Sequence, residues 1–420
     1  MQKPDIDTLI RQASMGRQNI NAMNASSAAV QSAPIVKLVD GIIDEAIDMR
    51  ASDIHIEPQT SFMRVRFRVD GELMSFRDEI PLNIKEMMTA RIKIMAKLDT
   101  TERRKPQDGR ITFRHDETDV DIRVSTMPTI DGESIVLRLL NGSRNLLKLD
   151  ELDFSETNEK IFKAWCHKPY GLILNVGPVN SGKTTTLYAA LSELNTPDKN
   201  IVTIEDPVEY YLPGVNQIQV NPKVDLTFAN GLRAVLRQDP DVCMVGEIRD
   251  EETAEIAIRA AMIGRLIFTT LHTGNAVGSI FRLLDMGIKP YLLSAALLGV
   301  MAQRLVRRLC PYCKEQYEIS SNTADALFMG RHFEHGMMAY RAVGCDKCNH
   351  TGYIGRIAIH EMLEISDDLR NAITYEHEYV KISDIAKKTN MVPLIDDGIE
   401  KIKCGKTSIA EVRRVLYGGY

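Results

Sequence analysis

The sequence predicts an α/β protein in which a parallel sheet covered by helices follows a smaller α+β domain. Short apolar runs at 172–176, 201–204, 242–245 and 266–270 alternate with longer helical stretches, as strands buried on both faces do. Upstream, Met63, Val65, Phe67 and Val69 alternate with Arg64, Arg66 and Arg68, the two-residue period of a strand with one wet face. The pattern changes near residue 151, which separates the two regions.

Taken in order, residues 1–33 are rich in Asn, Ser, Ala and Gln without sustained periodicity and read as a flexible arm. From Ile35 onward, Leu38, Val39, Ile42, Ile43, Ala46 and Ile47 keep one helical face apolar. The arginine-alternating strand follows, and Asp70-Gly71 ends it with a tight hairpin turn. A helix over 84–98 and alternating stretches around Ile111, 120–124 and 135–139 complete an α+β domain over 34–142. A linker, 143–154, leads to the parallel-sheet core, 155–308, where helices over 252–263 and 277–286 stop at Gly264 and Gly287. A tetracysteine element, 309–360, and a helical region, 361–420, follow.

With 420 residues, 44% hydrophobic and 26% charged, the chain has room for two or three ordinary soluble domains. Its net charge of -5 supplies no global attraction to nucleic acid or anionic lipid. No basic start followed by an apolar run opens the chain, so a cytoplasmic location is expected. The longest apolar stretch, 291–302, falls short of the roughly 18 residues of a spanning helix, so any membrane contact is expected through partners.

Gly177-Pro178-Val179-Asn180-Ser181-Gly182-Lys183-Thr184 fits the phosphate-loop pattern and lies between an apolar strand and a helical run, with Thr185 next. Backbone N–H groups and the helix start would hold the phosphates of ATP, Lys183 would neutralise them, and Thr184 would take a Mg2+ position. Three polar groups follow other apolar strands at the carboxyl end, where ligands sit in open α/β sheets. They are the acidic set Glu205, Asp206 and Glu209, then Glu247, and then His272. Glu247 is the general-base candidate for activating a water. Gly246 stands where an Asp often supports Mg2+, so Glu205 and Glu209 are the expected suppliers. His272 is a candidate γ-phosphate sensor, with a hydrogen-bonded core histidine as the alternative.

Four of the seven cysteines form Cys310-Pro-Tyr-Cys313 and Cys345-Asp-Lys-Cys348, and four thiolates suit a closed structural Zn2+ site. Cys166, Cys243 and Cys404 read as core residues, and His350 as a spare ligand that four cysteines make unnecessary.

At these residues the sequence resembles the secretion and pilus assembly ATPases known as GspE and PilB. The blocks are ASDIHIEP at 51–58, RFRVDG at 66–71, PQDGR at 106–110, IEDPVEY at 204–210, LRQDPDVCMVGEIRD at 236–250 and TTLHT at 269–273. The resemblance implies a RecA-like P-loop ATPase core behind a PAS-like domain, with 204–210 as aspartate box, Glu247 as catalytic carboxylate and 269–273 as histidine box. It implies that Arg123, Arg138, Arg233 and Arg237 complete the nucleotide site. It further implies a homo-hexameric ring acting on an inner-membrane platform protein (GspF/PilC-like) and a cytoplasmic docking domain, with no nucleic acid. The assembly and secretion branch of that family often carries the tetracysteine element, whereas the pilus retraction branch does not. Two departures stand out: Val179-Asn180 replaces the family's Thr-Gly, and Gly274-Asn275 follows the histidine box. A weakly hydrolysing nucleotide-binding scaffold and a DNA-translocating ring are the alternative functions.

Overall fold

In a computed structural model describing residues 5–16, 33–140, 147–376, 378–389 and 391–418, the chain divides into two units, Met1–Arg144 and Asn145–Tyr420. The first unit is built on six strands: β1 (Ala51–Pro58), β2 (Met63–Val69), β3 (Glu72–Ile80), β4 (Gln107–His115), β5 (Thr118–Thr129) and β6 (Gly132–Leu140). They pair antiparallel in the order β3-β2-β1-β6-β5-β4. The alternation in β2 does what its period requires. Met63, Val65, Phe67 and Val69 are buried, while Arg64 and Arg66 reach Glu57 on β1 at 3.1 and 2.6 Å. Asp70 and Gly71 take φ of 50° and 93°, the left-handed pair that a two-residue hairpin of this twist needs. Helices Ala33–Asp48 and Lys85–Met95 supply Ile35, Leu38, Ile42, Met88 and Ile92 to the core against the sheet.

Within the stretch expected as a flexible arm, Ile6–Gly16 is helical and buries Ile6, Leu9 and Ala13 in the same core. Three apolar residues at helical spacing are too short a signal to stand out in an Asn- and Ser-rich segment. Packing stabilises a helix that its own propensity does not. The rest of that stretch, 17–32, lies outside the described residues.

The second unit carries β7 (Gly171–Val176), β8 (Ile201–Glu205), β9 (Asn216–Gln219), β10 (Val242–Val245), β11 (Leu266–Leu271), β12 (Leu297–Leu309), β13 (Glu315–Glu318), β14 (Met338–Arg341) and β15 (Tyr353–Glu364). Seven of them form one sheet in the order β15-β12-β7-β11-β10-β8-β9, parallel from β12 to β9 and closed by antiparallel β15. Leu172, Leu174 and Val176 face one core and Ile173 the other, so both faces are covered, as continuous apolar strands require. The apolar stretch at 291–302 splits into helix Pro290–Ala296 and the start of β12. β15 draws residues from the stretches read as the cysteine element and the helical region into the main sheet. Among the described residues, no helix is long and apolar enough to cross a membrane.

His360, on β15, is fully buried and stacks on Phe154 with ring centroids 4.1 Å apart, and neither ring nitrogen has a hydrogen-bond partner. Burial, and then the Lys401 ammonium, hold its pKa well below the ordinary 6.5. The unfolded chain therefore takes up a proton below about pH 6.5 that the folded chain refuses, and stability falls as pH falls, by at most about 1.4 kcal/mol per pH unit. His360→Phe keeps the stack and should flatten this dependence. Urea unfolding at pH 7.5 and 5.5 checks it, and equal pH slopes for both proteins would refute the assignment.

Candidate functional site

The parallel register sets the site. β7, β11, β10 and β8 are consecutive neighbours, with Val176 opposite Leu271, Thr269 opposite Val245, and Val245 opposite Ile204. Their carboxyl ends therefore open side by side into the loops that begin at Gly177, His272, Gly246 and Asp206.

After β7 the chain turns into helix Lys183–Leu194. Its N-cap, Gly182, sits at φ 86° and offers no side-chain cap, leaving the first N–H groups open to an anion. A Cβ on Gly177 would lie 2.5 Å from the Gln303 carbonyl oxygen, so only glycine fits there. Asn180 takes φ 63°, a left-handed posture that Asn tolerates better than most residues. The departure from the family's glycine is thus compatible with the loop's shape. Lys183 is buried, and its ammonium donates to the carbonyls of Gly177 and Pro178 at 2.8 and 2.9 Å. Burial pushes its pKa down to about 8, with Glu247 pulling the other way. The Ser181 hydroxyl is buried without a partner, Pro178, Thr184 and Thr185 are half-buried, and Val179 and Asn180 are exposed.

Glu247 is held from both sides. One carboxylate oxygen lies 3.1 Å from His272 Nε2, and the other accepts from Arg249 Nε at 2.7 Å. Arg249 also pairs with Asp206 at 3.2 Å and lies over the Phe228 ring. Lys183, Glu247 and His272 are thus gathered at one rim of one sheet. Glu205 is drawn into a buried network instead. It accepts from Tyr188 Oη, from Thr203 Oγ1 at 2.6 Å and from Gln217 Nε2 at 3.3 Å, and burial raises its pKa. Glu209 is exposed.

Arg233 pairs with Glu252, and Arg237 donates to the Arg233 carbonyl. In the first unit, Arg123 and Arg138 are direct cross-strand partners, and Arg138 donates to Asp53 at 3.0 Å.

Sequence reasoning missed Arg249, Tyr188 and Gln303. Arg249 stood two residues beyond Glu247 in the GEIRD run and was the legible one. Tyr188 reads as part of an apolar helix face until β8 lies beside it. Gln303, on β12, accepts from Asn175 at 3.2 Å and Thr186 at 3.0 Å and so braces the phosphate loop from behind. No sequence spacing foreshadows that contact.

At the far end of β12, pairing with β15 sets Leu309 opposite Tyr353 and closes the long gap between the cysteine pairs. The four sulfurs of Cys310, Cys313, Cys345 and Cys348 lie within 4.8 Å of one another, with separations of 3.8 to 3.9 Å for three pairs. A tetrahedron of Zn–S bonds of about 2.3 Å has edges of about 3.8 Å, whereas a disulfide needs about 2.05 Å. The N–H groups of Gly344, Cys345 and Gly352 donate to these sulfurs, as thiolates invite. The cluster could therefore hold one metal ion. His350 is outside it and pairs with Asp346. Cys166 and Cys243 are buried as expected, but Cys404 is exposed, at the C-cap of helix Leu394–Lys403.

Comparison with known proteins agrees with this geometry. The family described as Type II/IV secretion system protein matches residues 28–414. The Type II secretion system ATPase E of Vibrio cholerae serotype O1 is 50% identical over 91% of this chain and 75% of its own length. The type IV pilus assembly ATPase PilB of Thermus thermophilus is 46% identical over 90% of this chain and 42% of its own. Among solved structures, the pilus retraction motor PilT with bound ADP superposes with a TM-score of 0.60 at 26% identity, covering 89% of this chain and 95% of that one. The Legionella pneumophila ATPase DotB shares the fold, with a TM-score of 0.66 at 20% identity over 90% and 95%. Matched over most of its length, and with the phosphate loop, Glu247 and His272 on one rim, the chain belongs to the Type II/IV secretion system protein family.

Proposed function

We propose that the chain is an ATP-hydrolysing motor that powers assembly of a type IV pilus or of the pilus-like filament of type II secretion. The observation that carries this reading is the convergence of Lys183, Glu247 and His272 at adjacent strand ends. Lys183 and the open N–H groups of its helix hold the ATP phosphates. Glu247, restrained by Arg249 and His272, orients and deprotonates the attacking water. His272 shares that carboxylate and so links water activation to whatever occupies the γ-phosphate position. Mg2+, when bound at Thr184, offsets phosphate charge. Glu205 is already held by three donors, so Glu209, exposed at the same strand end, is the better candidate for metal support. Arg123, Arg138, Arg233 and Arg237 supply positive charge that stabilises the transition state when the site closes.

The motor works as a homo-hexamer on the cytoplasmic side of the inner membrane, bound to a platform protein and a cytoplasmic docking domain. Cys310, Cys313, Cys345 and Cys348 hold a structural Zn2+, for which the sulfur spacing is the support.

Phosphate release by the 420-residue chain should fall roughly 100-fold or more in Lys183→Ala and Glu247→Gln. Equal slow rates in all three proteins would reject hydrolysis and leave a nucleotide-binding scaffold. Arg123→Ala and Arg138→Ala should each slow turnover while nucleotide binding persists, and unchanged turnover would dismiss that arginine. Protein purified without chelator should contain about one zinc ion per chain. Freely titrating thiols with no metal would remove the zinc assignment.

A further inference from the structure

Glu247 stands in a line of alternating charge that runs past Arg249 to a second acid. Arg249 Nε and Nη2 both reach Glu247 Oε1, at 2.7 and 2.5 Å, so one edge of the guanidinium closes on a single carboxylate oxygen. The other oxygen, Oε2, lies 3.1 Å from His272 Nε2. On the opposite side of the guanidinium, Nη1 forms an ion pair with Asp206 Oδ2 at 3.2 Å. Asp206 is the first residue beyond β8 and Glu247 the second beyond β10, its parallel neighbour, so the two acids come from adjacent strand ends. The guanidinium carbon lies over the Phe228 ring, 5.6 Å from its centroid.

The Arg249 side chain is 55% exposed and that of Asp206 37%. A long side chain in water has many rotamers, and an exposed ion pair adds little to stability. Direction is another matter. The guanidinium is planar and rigid, so a partner on Nη1 fixes where the Nε–Nη2 edge points. We propose that Asp206 is a positioning residue that acts through Arg249: it turns the guanidinium so that Glu247 is held between Arg249 and His272, aimed at the attacking water. This inference rests on the ATPase reading above and gives Asp206 a task other than support of Mg2+. Without the Asp206 charge, Arg249 is free to swing off Glu247 into solvent, and the carboxylate spends less time in the pose that activates water. Such misplacement slows the chemical step and spares ATP binding, which falls to Lys183 and the N–H groups of its helix.

Asp206→Asn, Arg249→Lys and the double variant test this in the 420-residue chain. Asn keeps the shape of Asp and removes its charge, whereas Lys keeps the charge of Arg and removes its fork. Expected in Asp206→Asn is a fall in kcat of about tenfold, with KM for ATP and the Mg2+ concentration at half-maximal rate unchanged. Arg249→Lys should lose about 10- to 100-fold. Because Asp206 acts only through Arg249, the double variant should match Arg249→Lys to within about twofold. Urea unfolding midpoints should be the same in all these proteins, which a merely structural role would not allow. Unchanged kcat in Asp206→Asn, or losses that multiply in the double variant, would overturn the inference. So would a raised Mg2+ requirement, which assigns Asp206 to the metal, and a lowered midpoint or failure to fold, which assigns it to the fold. Absence of hydrolysis in the unaltered chain overturns the ATPase reading instead, and this inference falls with it.

Discussion

The parallel pairing of β7, β11, β10 and β8 is the constraint on which the rest of the molecule depends. Parallel strands all end at the same edge, so four short apolar segments deliver four loops to one rim. Burial on both faces holds the register, because a slip of one residue would exchange the side chains facing the two cores. β11 lies between the phosphate-loop strand and the strand of Glu247, which places His272 beside Glu247 and close to the loop of Lys183.

Charge at that rim is held by exchangeable partners. Lys183 rests on two loop carbonyls, and Glu247 rests on Arg249 and His272. A buried ammonium whose proton affinity has been lowered gains most from an incoming polyanion, because phosphate oxygens restore the charge partner that carbonyl dipoles replace only in part. Behind the rim the polar contacts are of another kind. Gln303 bridges Asn175 and Thr186, and Glu205 bridges Tyr188, Thr203 and Gln217, with both Gln303 and Glu205 buried. These hold the loops in place.

Much of this was legible in the sequence for physical reasons that can be named. A strand buried on both faces must be continuously apolar, so β7, β8, β10 and β11 showed themselves to within about one residue. Asp70-Gly71 announced its turn because few residue pairs accept two successive positive φ values. The helix Ile6–Gly16 stayed hidden, since packing rather than local propensity stabilises it. β12 and β15 stayed hidden for a related reason. Their polar residues, Gln303, Arg304, His360 and Glu361, interrupt the apolar run, and each makes a contact distant in sequence.

The sequence by itself determined the inventory at the site: a phosphate loop, one carboxylate and one imidazole at strand ends, and four thiols in two close pairs. Those are local properties, set by backbone preference and side-chain period. Which acid faces the rim and which is buried was decided only by the fold, since Glu205 ends β8 and is held by Tyr188, Thr203 and Gln217, whereas Glu247 lies one register step further out, beyond β10, and is held by Arg249 and His272. The same holds for the closure of the cysteine cluster by β12–β15 pairing and for the Glu361 carboxylate at the start of helix Ala276–Asp285. Hydrogen bonds and desolvation act across space, and the chain carries no local mark of where its distant segments will meet.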